Sequence, residues 1–168
     1  MSLLNDRFKG KALLDNDVVS YSEYVYDHFD YLRRIGKAVR FSRKYFYPAM
    51  VAVCTDDKQS QISGCYSHRA EVGEYKLTSM LSEIEKRFGG IKSRNDFRKY
   101  SKERFPIGQC AEQHAANGLL LYRGPLNIRR DIFFSKAVRP STGEVFPYCN
   151  NCKKLFDFPA NVNFCITA

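Results

Sequence analysis

The stretch CAEQHAANGLLLYRGP, residues 110–125, decides how the rest of the chain is interpreted. Its alanine and leucine content predicts a helix from Cys110 to Leu121, and Tyr122-Arg-Gly-Pro125 supplies the glycine and proline that end a helix. This predicted helix opens on a cysteine and carries Glu112 in its first turn. A thiol and a carboxylate therefore stand together at the start of a central element.

Downstream of this helix, strand patterns flank a second cysteine motif. Ile132-Phe-Phe-Ser-Lys-Ala-Val138 predicts a strand, and a Pro-Ser-Thr-Gly turn follows it. Pro147 then leads into Cys149-Asn-Asn-Cys152, which opens a short apolar helix ending near Phe156. The run Val162-Asn-Phe-Cys-Ile166 predicts the last strand.

Upstream of the central helix, the chain shows two further helices and a hairpin. Ser20 with Glu23 forms a capping-box signature that opens a helix of about 20 residues ending before Pro48. Two β-rich runs, residues 49–54 and 61–66, predict a β-hairpin around a polar turn. The apolar stripe of another helix, closed by Gly89-Gly90, consists of Leu77, Met80, Leu81, Ile84 and Phe88.

The order of these elements predicts an α/β fold. Once the hairpin is past, strands alternate with helices, which favours a mixed sheet with an antiparallel N-terminal hairpin, parallel later strands and helices on both faces. A chain of 168 residues with 44% hydrophobic content suits one compact domain. We therefore expect residues 1–19 to form an N-terminal arm and residues 20–168 to form a single domain.

The charge of the chain favours a polyanionic partner. Lys and Arg number 27 against 18 Asp and Glu, a formal net charge of +9. Between Lys92 and Phe105, cations alternate with aromatic rings, a pattern that suits single-stranded nucleic acid because rings stack on bases while cations meet phosphates. The alternatives are a basic surface that serves solubility and, for this segment, a helix whose aromatics face the core.

The N-terminal residues do not resemble a secretory signal peptide. Met-Ser-Leu-Leu-Asn-Asp-Arg lacks the apolar run of a secretory signal, and no later run approaches the length of a membrane-spanning helix. We therefore expect a soluble protein with no membrane partner.

Three of the six cysteines are predicted to bind one metal ion. The C-x-x-C spacing of Cys149 and Cys152 lets two thiolates reach one tetrahedral zinc from a turn that opens a helix, and Cys110 also opens a predicted helix. The dipole of each helix favours thiolate over thiol there. Three protein ligands leave the fourth position for water, as in catalytic zinc sites, and Glu112 can move the protons. The remaining cysteines, Cys54, Cys65 and Cys165, are expected to be buried small hydrophobes.

His114 leaves an alternative open. It lies one helical turn after Cys110, so both side chains can share a helix face. That permits a closed site of three cysteines and one histidine, in which the metal is structural and Glu112 points to solvent.

The segment Cys110-Ala-Glu112 followed by Pro147-Tyr-Cys149-Asn-Asn-Cys152 resembles the zinc-dependent cytidine deaminase superfamily. The pattern of that superfamily is a His or Cys, one residue, Glu, and later P-C-x-x-C. The order of predicted elements over residues 20–168 is similar as well. The resemblance implies a three-layer α/β/α deaminase fold.

The resemblance also implies roles for the site residues. Cys110, Cys149 and Cys152 would bind Zn²⁺, and Glu112 would serve as the catalytic acid and base. The amide N–H of Ala111 would bind the pyrimidine carbonyl, as in the family.

Three departures from the family pattern bear on the substrate. Pro147 lies one residue further from Cys149 than is usual. Free-nucleoside deaminases with three cysteine ligands usually carry Arg after the glutamate, to offset thiolate charge, where this chain has Gln113. The segment Gly64-Cys-Tyr-Ser-His68 also lacks the Asn and Glu that those enzymes use on the ribose. With the basic charge, these departures make the chain most similar to the bacterial polymorphic-toxin deaminases that act on nucleic acids.

The function implied by this resemblance is conversion of cytosine to uracil in single-stranded DNA or RNA, by a cytoplasmic protein or by a delivered effector domain that an immunity protein inhibits. Several members of the superfamily prefer adenine, so the base is open. Two alternatives are a free nucleoside or nucleotide deaminase and a non-catalytic structural-zinc module that binds nucleic acid.

Four further residues are candidates for contacts with the substrate. Phe46, Tyr47 and Tyr148 flank the expected rim of the pocket, where they could stack on a base, and core packing explains them equally well. His68, at the end of the hairpin, is a further pocket candidate.

Overall fold

The structure is a computed structural model, and it describes residues 11–34, 50–56, 58, 61–68, 72–88, 108, 110–146 and 150–157. The helices of these residues are α1 (Lys11–Arg34), α2 (Met80–Phe88), α3 (Ala111–Arg123) and α4 (Asn150–Phe156). The strands are β1 (Val51–Asp56), β2 (Ile62–Tyr66), β3 (Ile132–Phe134), β4 (Ala137–Val138) and β5 (Val145–Phe146). A short 3₁₀ turn, Val72–Tyr75, connects β2 to α2. The protein is thus a mixed α/β structure.

The five strands form one sheet in which every described pairing is antiparallel. The order along the sheet is β2-β1-β4-β5, and β3 also pairs with β1. The predicted β1–β2 hairpin is confirmed, with Val51 opposite Tyr66 and Thr55 opposite Ile62. Parallel pairing is not seen among the described strands, and the predicted strand 162–166 lies outside them. The parallel part of the predicted sheet is therefore not confirmed.

Helices cover both faces of β1, whose six residues are all buried. Val51 and Val53 pack in a cluster with Val18 and Val25 of α1. Cys54, on the opposite face of the strand, belongs to a larger cluster built mainly from α3, α2 and α4. Side chains alternate between the two faces of a strand, so α1 and α3 lie on opposite sides of the sheet. A strand buried on both faces explains the nearly continuous apolar run that the sequence shows there.

The single strand predicted after the central helix is divided by a β-bulge. Cys54 pairs with Phe134 and Val51 with Val138, so three steps along β1 match four along its partner. The extra residue falls at Ser135, whose N–H and Oγ both bond to the backbone of β1, at 2.9 and 3.0 Å. In a regular strand the side chains of residues 134 and 138 would lie on the same face of the sheet. The bulge places them on opposite faces, with Phe134 packed on the α3 side and Val138 on the α1 side.

Helix α1 begins earlier than the sequence pattern predicts. It starts at Lys11, so residues 11–19 are helical. The apolar stripe continues backward to Val18, which is buried, while Ser20 and Glu23 of the supposed capping box are exposed in the helix interior. Neither α1 nor any other described helix combines the length and the apolar character needed to cross a membrane.

Helix α2 begins later than predicted, at Met80 and not at Leu77. Thr78 Oγ1 accepts a hydrogen bond from the Met80 amide at 3.1 Å, which caps the first turn and places the helix start after the threonine. Leu77 consequently lies outside the helix and is 82% exposed. Its assignment to the apolar stripe was wrong because a local cap competed with the hydrophobic period.

Candidate metal centre

The first turn of α3 organises the site. Cys110 is the residue that precedes the helix, in an extended conformation, and its carbonyl accepts hydrogen bonds from the Gln113 and His114 amides at 3.1 and 3.2 Å. All seven residues from Ala111 to Asn117 are buried. The start of a helix is the positive end of its dipole, so this turn gives the site a partial positive charge that favours thiolates and other anions.

Cys110, Glu112 and Cys152 come together around one point. The ligand atoms of these three side chains all lie within 4.8 Å of one another and could hold a metal ion. Glu112 is 5% exposed and Cys152 is fully buried, and the Cys152 thiol donates to Glu112 Oε2 at 3.8 Å. The starts of α3 and α4 thus deliver sulfur and carboxylate donors to the same buried position. We refer to these three residues as the first group.

Several predicted site residues lie outside the described part of the chain. They are Phe46, Tyr47, Tyr148 and Cys149, together with the basic and aromatic segment 92–105. Among the described candidates, Ala111 is buried at the start of α3. His68 lies apart from the first group, in a second group of donors.

Glu112 and His114 do not adopt the positions that a closed structural zinc site requires. Glu112 is buried and does not point to solvent. The His114 ring faces Tyr75 and His68, with Nδ1 3.3 Å from the Tyr75 hydroxyl and Nε2 2.9 Å from the His68 carbonyl oxygen. His114 therefore contributes to other contacts, and the described residues give no support to a site of three cysteines and one histidine.

Gln113 is a residue of the site that the sequence did not reveal. Its side chain is fully buried, its Oε1 accepts from the Gly108 amide at 2.8 Å, and its Nε2 donates to Cys152 Sγ at 3.6 Å. A donor aimed at a sulfur stabilises negative charge there without adding a cation. Its place directly after Glu112 was the available signal in the sequence.

A second group of donors lies on the other side of Tyr75. Cys65 at the end of β2, His68 in the loop that follows, and His114 in α3 also have their ligand atoms within 4.8 Å of one another and could hold a metal ion. The two imidazole rings stack with centroids 3.7 Å apart. Glu74 Oε2 lies 3.6 Å from His68 Nε2 and 3.9 Å from His114 Nδ1. Cys65 was expected to be a core hydrophobe, and it packs against the larger core cluster while its half-buried thiol also lies beside these polar donors.

The protonation states of the second group follow from burial. Burial, with a smaller contribution from His68, lowers the pKa of His114 to about 4, so this ring is neutral at pH 7. Burial also raises the pKa of the Cys65 thiol to about 11. The group is therefore uncharged at these two positions in the absence of a cation.

Gly108 connects the two groups. Its carbonyl accepts from the Tyr75 hydroxyl at 3.0 Å, and its amide donates to Gln113. Its φ of 84° is a left-handed conformation that glycine adopts without strain. Tyr75 is fully buried, and burial raises the pKa of its phenol well above the usual value, so it remains a neutral donor. A path of contacts thus runs from His114 to Cys152, and from Tyr75 through Gly108 and Gln113 to Cys152 each step is a hydrogen bond.

Comparison with known proteins gives no relative for this chain: no protein-family model, no curated protein and no solved structure matches it. The function of the site is therefore inferred from its residues and their geometry.

Proposed function

We propose that this protein is a zinc-dependent hydrolytic deaminase that converts cytosine to uracil in single-stranded DNA or RNA. The observation that carries the proposal is the buried carboxylate of Glu112 beside two cysteine donors, Cys110 and Cys152, at the starts of two helices. Burying a carboxylate costs free energy that packing alone does not recover, so a carboxylate beside metal donors suggests a chemical role.

The donor set fits zinc. Cys110, Cys149 and Cys152 would hold the ion, and two thiolates on one tetrahedral zinc with bonds of about 2.3 Å lie about 3.8 Å apart. The first group, with all ligand atoms within 4.8 Å, is compatible with that spacing. Zinc, when bound, supplies Lewis acidity that activates water for attack near neutral pH. The Gln113 amide would hold the Cys152 sulfur in its ligating position.

The fold is part of the proposal. Helices on both faces of an antiparallel core support the three-layer α/β/α arrangement that the deaminase resemblance implies. The hairpin precedes the helix that carries Cys110 and Glu112, and a short strand pair precedes the helix that carries Cys152. The leading helix, the hairpin and the two helices that carry the site residues follow one another in the order that the resemblance predicts, while three short strands stand where it predicts one.

Glu112 carries the proton transfers of the proposed reaction. Its carboxylate takes a proton from the attacking water and delivers it to N3 of cytosine while the C4–O bond forms. It then passes the second water proton to the 4-amino group, the C4–N bond breaks, and ammonia leaves. The ring retains a carbonyl oxygen at C4, which makes the product uracil. The Ala111 amide would donate to the O2 carbonyl and orient the ring.

The substrate class rests on charge and on the loop after β2. A net charge of +9 favours a polyanion over a free nucleoside and predicts that turnover falls as salt rises. His68 occupies the end of the hairpin, where free-nucleoside enzymes would place ribose-binding residues, and it contacts His114 and Glu74 instead. These observations support nucleic acid as the substrate.

The decisive experiment compares the protein with its Glu112→Gln variant on labelled single-stranded DNA, the matching RNA and free cytidine, with products analysed by mass spectrometry. We expect a mass gain of about one unit on a polymer, and a loss of at least 10²-fold in rate for the variant with zinc retained. Glu85→Gln, an exposed glutamate of α2, is the matched control and should be fully active.

The outcomes separate the parts of this proposal. Full activity in Glu112→Gln would eliminate the mechanism. Turnover of cytidine but of neither polymer would replace the nucleic-acid substrate with a free nucleoside. Zinc bound without turnover of any substrate would favour a non-catalytic module.

A further inference from the structure

We propose that Cys65, His68 and His114, with Glu74 as the fourth donor, form a second metal site for a divalent ion of the zinc type. This site is distinct from the first group and does not depend on the proposed deaminase activity. It would join the end of β2, the 3₁₀ turn and α3 through side chains that are far apart in the sequence.

The first observation that supports the second metal site is that sulfur, nitrogen and oxygen donors lie close together. The three cysteine and histidine ligand atoms lie within 4.8 Å of one another. The carboxylate of Glu74 approaches both rings, with Oε2 3.6 Å from His68 Nε2 and 3.9 Å from His114 Nδ1. Two nitrogen ligands of one tetrahedral zinc, with bonds of about 2.0–2.1 Å, lie about 3.4 Å apart. The two rings are stacked with their planes 15° apart, so binding would require the partly exposed His68 ring to rotate until both lone pairs point at the same ion.

The orientation of the two histidines is the second, independent support. One nitrogen of each ring meets a backbone carbonyl: His68 Nδ1 lies 3.0 Å from the Tyr66 oxygen, and His114 Nε2 lies 2.9 Å from the His68 oxygen. A ring nitrogen that meets a carbonyl carries the proton, so in the neutral ring the other nitrogen has the lone pair. Those other nitrogens are the two that face Glu74. Metal-binding histidines are held by carbonyls in the same way.

The hydroxyl of Tyr75 does not satisfy the His114 lone pair. A phenol has one hydrogen to donate, and the shorter contact of the Tyr75 hydroxyl, 3.0 Å, is to the Gly108 carbonyl. The contact between the Tyr75 hydroxyl oxygen and His114 Nδ1 is longer, 3.3 Å. Since the only hydroxyl hydrogen points to Gly108, this contact brings an oxygen lone pair against a nitrogen lone pair. A cation between Nδ1 and the Glu74 carboxylate would relieve this arrangement.

The donor set identifies the class of ion. One thiol, two imidazoles and one carboxylate suit Zn²⁺, or Co²⁺ as a spectroscopic substitute, whereas Mg²⁺ and Ca²⁺ prefer oxygen ligands alone. The spacing Cys65-x-x-His68 is one that lets both residues reach the same ion from a strand end. The side chains of His68 and Glu74 are 35% and 43% exposed, which gives the ion a path of entry.

The test is the metal content of four proteins: wild type, His68→Ala, Cys110→Ala and His28→Ala. Each is loaded with excess Zn²⁺, passed through gel filtration and analysed by elemental mass spectrometry. We expect about two ions per chain in wild type and about one in His68→Ala. His28→Ala removes an exposed histidine of α1 and should keep both.

The Cys110→Ala variant separates this proposal from the proposed function. A zinc ion that stays in Cys110→Ala and is lost in His68→Ala would establish the second site, even if no deaminase activity is found. Wild type with one ion or none, unchanged by His68→Ala, would overturn the proposal, and so would two ions retained in His68→Ala. Should Cys110→Ala fail to fold, the Co²⁺ spectrum of wild type provides the same test, since Cys65→Ser should remove one thiolate-to-cobalt component and no more.

Discussion

The two donor groups differ in how the chain brings them together, although both use the same helix. The first group combines Cys110 and Glu112 at the start of α3 with Cys152 in α4, in a buried position. The second combines Cys65 and His68 from the hairpin end with His114 of α3, in a half-exposed position. Glu112 and His114 are two residues apart, and residues at that spacing do not share a helix face. The start of α3 therefore places its donors on two different sides of the helix.

The largest effect that distinguishes the groups should come from Cys152→Ala. Cys152 is fully buried and would ligate the ion of the first group, so the variant should lose that ion, all deaminase activity and several kcal/mol of unfolding free energy. Cys54→Ala is the matched control, because Cys54 is also fully buried and belongs to the same core cluster but to neither donor group.

Denaturant unfolding and metal analysis of both variants provide the measurement. Cys54→Ala should cost about 1 kcal/mol and keep its full metal content. Equal losses in the two variants would mean that Cys152 serves only as packing, and the first group would then be a feature of the core.

A smaller effect should separate the groups by pH. His114 titrates near pH 6.5 when unfolded and at about 4 when folded, so between these values the unfolded chain binds more protons. Stability contributed by the neutral ring is present above pH 6.5 and is lost as the pH falls toward 4, by up to about 3 kcal/mol. We expect wild type in chelator to lose more stability between pH 6.5 and 5 than His114→Asn does.

His28→Asn is the control for this pH dependence, since it removes an exposed histidine and should retain the wild-type slope. The measurement is chemical denaturation at several pH values. A His114→Asn variant with the same slope as wild type would show that the acid sensitivity arises elsewhere.

How much the sequence could predict also differs between the groups. The first group follows from local signals, because C-x-E and C-x-x-C each lie at the start of a strongly patterned helix, and both helices are found where expected. The second group could not be predicted from sequence, since the end of the hairpin and a histidine of α3 meet only after β2 packs against α3. Cys65 was predicted to be a core residue because it lies in a predicted strand, and nothing local indicated that histidines would lie beside it.

The prediction of the fold from sequence was limited in the same way, because features that depend on individual side-chain contacts were missed. The hairpin was predicted from two β-rich runs around a polar turn, and α3 from its alanine and leucine content and the glycine and proline that end it. The β-bulge at Ser135 was not, because one extra residue depends on a side-chain bond to the neighbouring strand. The late start of α2 likewise depends on a single threonine cap.

The smallest expected difference between the two donor groups concerns Gln113, whose side chain contacts Cys152 of the first group. Gln113→Glu keeps the shape of the side chain and replaces the amide donor with a carboxylate near Cys152 Sγ, now 3.6 Å from the Gln113 nitrogen. Loss of a hydrogen bond that orients a metal ligand typically weakens metal binding by about 10–100-fold, and repulsion between carboxylate and thiolate acts in the same direction. We expect that weakening at the first group and none at the second.

Asn117→Asp is the matched control for this charge. Asn117 is a buried amide on the same helix, one turn further on, and it bonds to the Glu74 carbonyl and to Thr78, away from Cys152. It should lower stability without changing zinc affinity at the first group, as measured by competition with a chelating dye. If both variants weaken zinc equally, negative charge anywhere on α3 is sufficient. If only Gln113→Glu does, the amide directed at sulfur does locally what the arginine does in the deaminases that this chain resembles.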